Sequence, residues 1–263
     1  MKTISQFNLV KKTFVVTGAA GQIGAEIVNA CLLCGANVIA CDFDLIKLNH
    51  AALENAWPSD KVLIYQCDIT RRQQVKEIFI AGSKMFESID GLINNAGVST
   101  FEPFLERTEE SFDWVTSVNL KGTFFCIQEY VNYVVGVGFG GCIVNIASLY
   151  GMTSPDPRIY TDCDRKNSEI YGATKAGIIQ MTKYFAVHLA EYAVRVNCIA
   201  PGGVRNPRNP QGKDFLENYS YRCPMGRMAE TSEIVWPIIF LLTPASSYVN
   251  GQTLAVDGGF TVW

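Results

Sequence analysis

Short apolar runs rich in β-branched residues alternate along this chain with longer segments of helical period. The apolar runs Thr13–Thr17, Asn37–Cys41, Val62–Gln66, Gly91–Asn94, Cys142–Ala147, Arg195–Ala200 and Thr253–Val256 read as strands. Between them Gln22–Cys34, Asp44–Ala56, Arg71–Phe86, Thr108–Tyr133, Ile170–Ala193 and Thr231–Leu242 read as helices. A strand followed each time by a helix signals a parallel sheet, because parallel neighbours need a crossover connection. The expected fold is therefore α/β, a doubly wound parallel sheet of about seven strands with helices on both faces. No repeat, low-complexity tract or linker marks a second domain, so residues 1–263 are expected to form one. Two segments depart from the regularity, Tyr150–Glu169 and Pro201–Pro224, both rich in Pro, Asn and charge. Loops that long in a compact domain are usually functional or disordered, and these two are expected to border a substrate.

Composition narrows the class. With 263 residues, 48% of them hydrophobic, the chain can bury one large core. A net charge of -3, from 22 basic and 25 acidic residues with no long basic block, leaves no electrostatic footprint for nucleic acid. Met1–Lys12 holds no apolar run suited to a signal peptide, and the other apolar stretches are interrupted well short of a membrane span. A cytoplasmic protein with no membrane partner is expected. The nine cysteines are an odd number scattered through apolar segments, which fits a reduced compartment. Cys31 and Cys34 have redox or metal spacing but no second pair and no nearby histidine, so core filling is expected and no metal site. His50 and His188 receive no role.

The chemistry is concentrated at strand ends. The first strand runs into Thr17-Gly18-Ala19-Ala20-Gly21-Gln22-Ile23-Gly24 and then directly into a helix. Glycines there permit a tight turn, close approach of a pyrophosphate and tight helix packing, while the helix start offers N–H groups to phosphate. The second strand ends at Asp42, where a carboxylate can accept from ribose hydroxyls and would repel a 2′-phosphate. This favours NAD over NADP. Asp44 could substitute, although it also reads as the cap of the next helix. Cys67-Asp68-Ile69, Asn94-Asn95-Ala96-Gly97, Ser148 and Pro201-Gly202-Gly203-Val204 follow the next four strands, at the edge where open α/β sheets bind ligands. Finally, Tyr171 and Lys175 stand four residues apart in a helical run and so share one face. An ammonium beside a phenol favours the phenolate, which is expected to lower the tyrosine pKa toward working pH.

Taken together, the Thr17 to Gly24 turn, Asp68, the Asn94 to Gly97 run, Asn119, Ser148, Tyr171 with Lys175, Pro201-Gly202 and Val256-Asp257-Gly258-Gly259 resemble the short-chain dehydrogenase/reductase family over essentially the whole chain. The resemblance implies a Rossmann fold and reversible hydride transfer between a nicotinamide and an alcohol or ketone. It implies Tyr171 as general acid/base and Lys175 holding the nicotinamide ribose. Ser148 would bond the reacting oxygen, and Asn119 would support a water relay behind the lysine. Thr17, Gly18, Gly21, Gln22, Ile23, Gly24, Asp42, Asp68, Ile69, Asn95, Ala96, Gly97, Tyr171, Lys175, Pro201, Gly202 and Val204 are the cofactor-binding candidates.

The chain departs from the family pattern in three places. Gln22 stands where the short form normally has glycine, a spacing similar to the family's longer, nucleotide-sugar-modifying branch, for which this chain is too short. The interval from Ser148 to Tyr171 is longer than usual, and Asn206 replaces the threonine that follows Pro-Gly. Asp156, Arg158, Asp162, Asp164, Arg165 and Lys166 in the first loop, with Arg205, Arg208 and Lys213 in the second, suit a polar or anionic small-molecule substrate or a solvated surface. The combination resembles oxidoreductases of flagellin modification and surface-polysaccharide sugars, acting on a sugar or sugar phosphate. The rival readings are a 3-oxoacyl-thioester reductase, a general alcohol dehydrogenase and a non-catalytic nucleotide-binding protein. The long apolar helices suggest a homotetramer or homodimer.

Overall fold

The computed structural model describes residues 4–162 and 167–263. Seven strands form one parallel sheet: β1 (Thr13–Thr17), β2 (Asn37–Asp42), β3 (Val62–Gln66), β4 (Gly91–Asn94), β5 (Gly141–Ile146), β6 (Val194–Pro201) and β7 (Thr253–Val256). Their order is β3-β2-β1-β4-β5-β6-β7. The order reverses between β1 and β4, where Phe14 pairs with Gly91 and Val16 with Ile93. That switch point opens a crevice at the carboxyl ends of the strands.

Helices α1 (Gln22–Leu33), α2 (Leu45–Glu54), α3 (Arg72–Met85), α4 (Glu109–Thr116), α5 (Thr123–Val137), α6 (Glu169–His188), α7 (Lys213–Arg222) and α8 (Thr231–Leu242) flank the sheet. On one face Ile27 and Val28 of α1, Leu48 of α2 and Ile238 and Ile239 of α8 pack onto Val16, Val38 and Val144. On the other, Val75, Ile78 and Phe79 of α3 and Ile127 and Tyr130 of α5 cover Val15, Ile39, Leu92 and Ile143. The sheet is thus doubly wound. Each large apolar side chain removed from water contributes about 1.5–3 kcal/mol. Among the described residues no helix is long and apolar enough to cross a membrane.

Two elements differ from the sequence expectation, and one open alternative is resolved. The helix expected over Thr108–Tyr133 is α4 and α5 joined by a π-helical turn, Ser117–Gly122, which shifts the hydrogen-bond register around Asn119. The segment Pro201–Pro224, expected to be loop, contains α7. Asp44 caps α2, its carboxylate accepting from Lys47 N at 3.0 Å, so it serves the helix and Asp42 serves the crevice. The described cysteines are free thiols, and Cys31 is fully buried in the core. Cys163, Asp164, Arg165 and Lys166 lie outside the described residues.

Candidate active site

The carboxyl edge of the sheet opens into a cleft of about 1150 Å³. Of the candidate residues, all line it except Thr17 and Asn119. Gly18 turns the chain at φ +66, and a Cβ there would lie 2.8 Å from the Ala96 Cα. A Cβ on Gly24 would lie 2.1 Å from the Gly18 carbonyl oxygen. The turn and α1 are therefore packed backbone to backbone, and no side chain caps the start of α1 at Gly21. Its first-turn N–H groups are left for a ligand.

Thr17 is a correction to the sequence reading. It is buried between strands, where its hydroxyl accepts from the N–H groups of Asn95 and Ala96, both at 3.1 Å. Asn95 returns its amide to the carbonyls of Thr17 at 3.0 Å and Gly18 at 3.1 Å. Thr17 thus holds the glycine turn to the end of β4 and does not face the cleft. Gln22 also acquires a role: its amide donates to the Arg205 carbonyl at 2.6 Å and to Thr231 Oγ1 at 2.7 Å, strapping the turn to the segment after β6. Asp42 is fixed by accepting from Ala20 N and Asp44 N, each at 3.1 Å. Asp68 makes the turn into α3 by accepting from Thr70 N at 2.9 Å. Among the described residues lining the cleft, Lys175 is the one cation, against Asp42, Asp68, Glu110 and Asp113.

Tyr171 lies in the first turn of α6, fixed by Ser168, whose hydroxyl accepts from Tyr171 N at 3.2 Å. Ser148 follows β5 and lines the cleft beside Tyr171, its hydroxyl accepting from Tyr150 N at 3.2 Å and favouring the ionised form of the Tyr171 phenol. One turn on, the buried Lys175 donates to the Ile146 carbonyl at 2.8 Å, and its Nζ lies 5.5 Å from the Tyr171 ring centre. The expected direction of the tyrosine shift is reversed. Burial pushes the Tyr171 phenol above its ordinary value, against the opposing influence of Ser148, and burial pushes Lys175 down to about 8. The ammonium is engaged by a carbonyl beside the ring, and a low dielectric disfavours both ions.

Asn119 lies beside Lys175, on the other side of Gly97. It is fully buried in the π-helical turn, with Oδ1 accepting from Val98 N at 2.8 Å and Nδ2 donating to Val98 O and Thr174 Oγ1, both at 3.0 Å. Thr174 in turn donates to the Tyr171 carbonyl at 2.8 Å. The side chain is engaged in positioning α6 and the segment after Asn94. It does not reach the cleft, although Gly97 separates it closely from Lys175.

The Lys175 environment carries a pH prediction. Unfolded, the lysine titrates near 10.5 and folded near 8, so between these values the unfolded chain binds the extra proton. Its burial penalty is complete below about pH 8 and is relieved as pH rises toward 10.5. Without added cofactor, the stability of wild type relative to Lys175→Met should rise by about 3 kcal/mol across that window. Taking the difference cancels the titration of thiols and phenols common to both proteins. Denaturant melts at stepped pH read it, and a flat difference would contradict the assignment.

Sequence reasoning missed part of the cleft. Glu110, Asp113, Trp114 and Ser117 line it from one side, and their helical spacing on α4 was the available signal. Phe101 and Asn167 line it as well. Arg107 locks that wall to α6. Its guanidinium donates to Thr100 Oγ1 at 2.6 Å and to Glu169 Oε1 at 2.9 Å, and it pairs with Glu102.

The two polar loops meet beside Ser148 and Tyr171 and enclose a second cavity of about 240 Å³. Asp162 accepts from Phe215 N at 3.1 Å in the first turn of α7, and Asn218 donates to Thr161 Oγ1 at 2.9 Å. The loop charges, however, are paired elsewhere. Arg158 bonds Asp156 at 2.7 Å, Arg205 faces Glu230 at 3.5 Å, Lys213 faces Glu217 at 3.6 Å, and Arg208 pairs with Glu54. Of the described charged loop residues, Asp162 alone lines a cavity. Asn206 accepts from Arg208 N at 3.0 Å as a turn former and lines neither.

Comparison with known proteins places this geometry. Residues 18–261 match the family model described as Enoyl-(Acyl carrier protein) reductase. The chain is 35% identical over 252 residues to a 3-oxoacyl-[acyl-carrier-protein] reductase of Thermotoga maritima, covering 95% of this chain and 98% of the relative. A short chain dehydrogenase from Leptospira borgpetersenii solved with bound NAD+ superposes with TM-score 0.86 at 40% identity, covering 99% of this chain and 96% of that one. A gluconate 5-dehydrogenase from Burkholderia cenocepacia, in complex with NADP and tartrate, superposes with TM-score 0.87 at 27% identity, covering 99% of both.

Proposed function

The chain belongs to the short-chain dehydrogenase/reductase family of oxidoreductases, and on that premise we propose that it interconverts a secondary alcohol and a ketone on a polar small molecule, with NAD preferred over NADP. The observation that carries the reading is the Ser148, Tyr171 and Lys175 cluster at the edge of a cleft large enough for a dinucleotide. The residues present fit that cofactor. Gly18 and Gly24 let the turn pack against Ala96 and α1 where a Cβ would clash, Asp42 stands at the end of β2, and Asn95 to Gly97 with Pro201, Gly202 and Val204 form the walls. The nicotinamide, when bound, supplies or receives the hydride.

The chain's own residues handle the proton. The Ser148 hydroxyl holds the substrate oxygen, and the Tyr171 phenol gives it a proton in reduction or takes one in oxidation. Because burial keeps the phenol protonated, Tyr171 enters the reduction direction ready to donate. Lys175 lines the same cleft within reach of a bound ribose. Asn119 holds α6 and the Asn94 to Gly97 segment in register, so its part is positioning.

The cofactor preference rests on Asp42 and on the absence of Arg or Lys near it among the described lining residues. Replacing Asp42 by Ser removes the charge that opposes a 2′-phosphate, and the ratio of kcat/KM for NADP to that for NAD should rise by about 10–100-fold. Steady-state rates with both cofactors test this, and an unchanged ratio would remove Asp42 from the argument. The relationship to an acyl-carrier-protein reductase favours a second reading, 3-oxoacyl-thioester reduction. Purified protein offered an acetoacetyl thioester with NADPH, and alcohols with NAD+, separates the two. We also infer a cytoplasmic homodimer or homotetramer. Phe124 on α5 and Tyr184 and Val187 on α6 expose large apolar surfaces suited to a second copy, and a monomer by light scattering would remove that inference.

A further inference from the structure

Building on the oxidoreductase reading, we propose that the second cavity is the substrate site for a compact, neutral, polyhydroxylated ring, and that Tyr160 and Asn167 decide this choice. Position comes first. The cavity shares Ser148, Tyr171 and Asn167 with the cofactor cleft, so a molecule seated in it presents a carbon to the serine and tyrosine hydroxyls. At about 240 Å³ it lies below the range of drug-sized sites, about 300–1,000 Å³. It is bordered by the first loop and α7, which Asp162 and Asn218 tie together. A single ring fills a space of that volume better than an extended acyl chain.

The wall chemistry then selects hydroxyls. Tyr150 and Tyr160 share a hydrogen bond of 2.8 Å between phenols, and the Asn167 amide donates to the Tyr160 oxygen at 2.9 Å. The carbonyl end of Asn167 remains as an acceptor. Tyr219 accepts from Gly203 N at 2.7 Å, which leaves its own proton to donate. Burial raises the Tyr150 and Tyr219 phenols, the latter to about 12, so both stay protonated at working pH. A cavity offering donors and acceptors side by side matches a group that is both, which is a hydroxyl. Aromatic rings, Tyr160 against Phe215 at 5.3 Å and 54°, give the apolar face of a ring something to lie on. Among the described residues, charge favours the neutral alternative. Asp162 contributes a carboxylate to the cavity, and Arg158, Arg205, Arg208 and Lys213 are paired outside it. A sugar phosphate would meet repulsion there.

The residues responsible come from the lengthened interval between Ser148 and Tyr171, so the added length would be what tunes substrate choice on this chain. The test uses the purified protein loaded with NADH in a calorimeter, with cyclohexanol, cis-1,2-cyclohexanediol, myo-inositol, D-glucose and glucose 6-phosphate as probes. At least one fully hydroxylated neutral ring should bind ~10-fold or more tighter than cyclohexanol, as expected for one or more satisfied hydrogen bonds, and tighter than the phosphate ester. Tyr160→Phe, which keeps the ring packing, and Asn167→Leu should each cut that advantage to less than about three-fold. A thermal melt of each variant shows that it folds. Binding that is indifferent to ring hydroxyls, no ring bound at millimolar concentration, or folded variants that keep the full advantage would each overturn the inference. A hydroxylated ring that binds as described but, with NAD+ in place of NADH, yields no NADH would uphold it and refute the oxidoreductase reading instead.

Discussion

Replacing Tyr171 by Phe is expected to lower turnover by about 10²–10⁴-fold, the usual worth of a positioned general acid/base. The substitution is nearly isosteric. It keeps the ring that Lys175 approaches at 5.5 Å and deletes the phenolic oxygen beside Ser148 in the cleft. No large side chain is lost from the interior, so the melting temperature should stay within a few degrees. The measurement is kcat with the best substrate of the panel, together with a fluorescence titration of NADH binding to show that the cleft is intact. A variant that binds NADH and still turns over within about three-fold of wild type would show that the proton passes elsewhere. Ser148→Ala should fall short of the full effect, because it removes a bond to the reacting oxygen and leaves the proton source in place.

The same cluster shows what the chain discloses as sequence and what it withholds. Strand ends were legible because apolar runs stop where polar and glycine residues begin, and this located the edge that carries Gly18, Asp42, Asn95 and Ser148. The Tyr171 and Lys175 spacing gave their shared helix face. Sequence spacing could not give the direction of their pKa shifts, since that depends on burial and on the Ile146 carbonyl that takes the ammonium, contacts made across the fold. Thr17 was placed in the right neighbourhood but assigned to the ligand. Its hydroxyl is instead spent on backbone groups of the segment after β4, as is the Asn119 amide oxygen. Motif position does not distinguish a side chain that touches ligand from one that holds the loop that does.

The loops failed differently. Counting charges in Tyr150–Glu169 and Pro201–Pro224 suggested a charged rim, yet the described arginines and Lys213 find carboxylate partners on the outer surface. The groups turned inward are phenols, an amide and the Asp162 carboxylate, and only the last carries weight in a charge count. The helix α7 was hidden for a related reason. Its sequence is too polar to show an apolar stripe, and it is held through Phe215, Tyr219 and the Asp162 carboxylate.

Substituting Gly24 by Ala is expected to damage both stability and cofactor binding severely. The added carbon would lie 2.1 Å from the Gly18 carbonyl oxygen, 2.8 Å from its carbonyl carbon and 2.9 Å from the Ala19 Cα, all backbone atoms. None of these can step aside cheaply. The Gly18 oxygen already accepts from Gly21 N and from Asn95 Nδ2, both at 3.1 Å, and Asn95 ties it to β1 and β4. Relief requires α1 to move off the sheet, which opens the core beneath Ile27 and Val28. Overpacking of this kind costs about 3 kcal/mol or more, equivalent to a fall in melting temperature of roughly 6–12 °C for a chain of this size. The moved helix also takes its first-turn N–H groups away from the phosphate position, so NADH affinity should drop by at least about 100-fold. Gly136→Ala is the matched control. It lies exposed near the end of α5 with no atom within 4 Å of the added carbon, and alanine there should stabilise by about 0.5–1 kcal/mol. If Gly24→Ala melted and bound NADH as wild type does, the turn would have slack that the backbone contacts deny. Cofactor binding would then have to depend on Asp42 and the Asn94 to Gly97 segment, without a rigid glycine cradle beneath the phosphates.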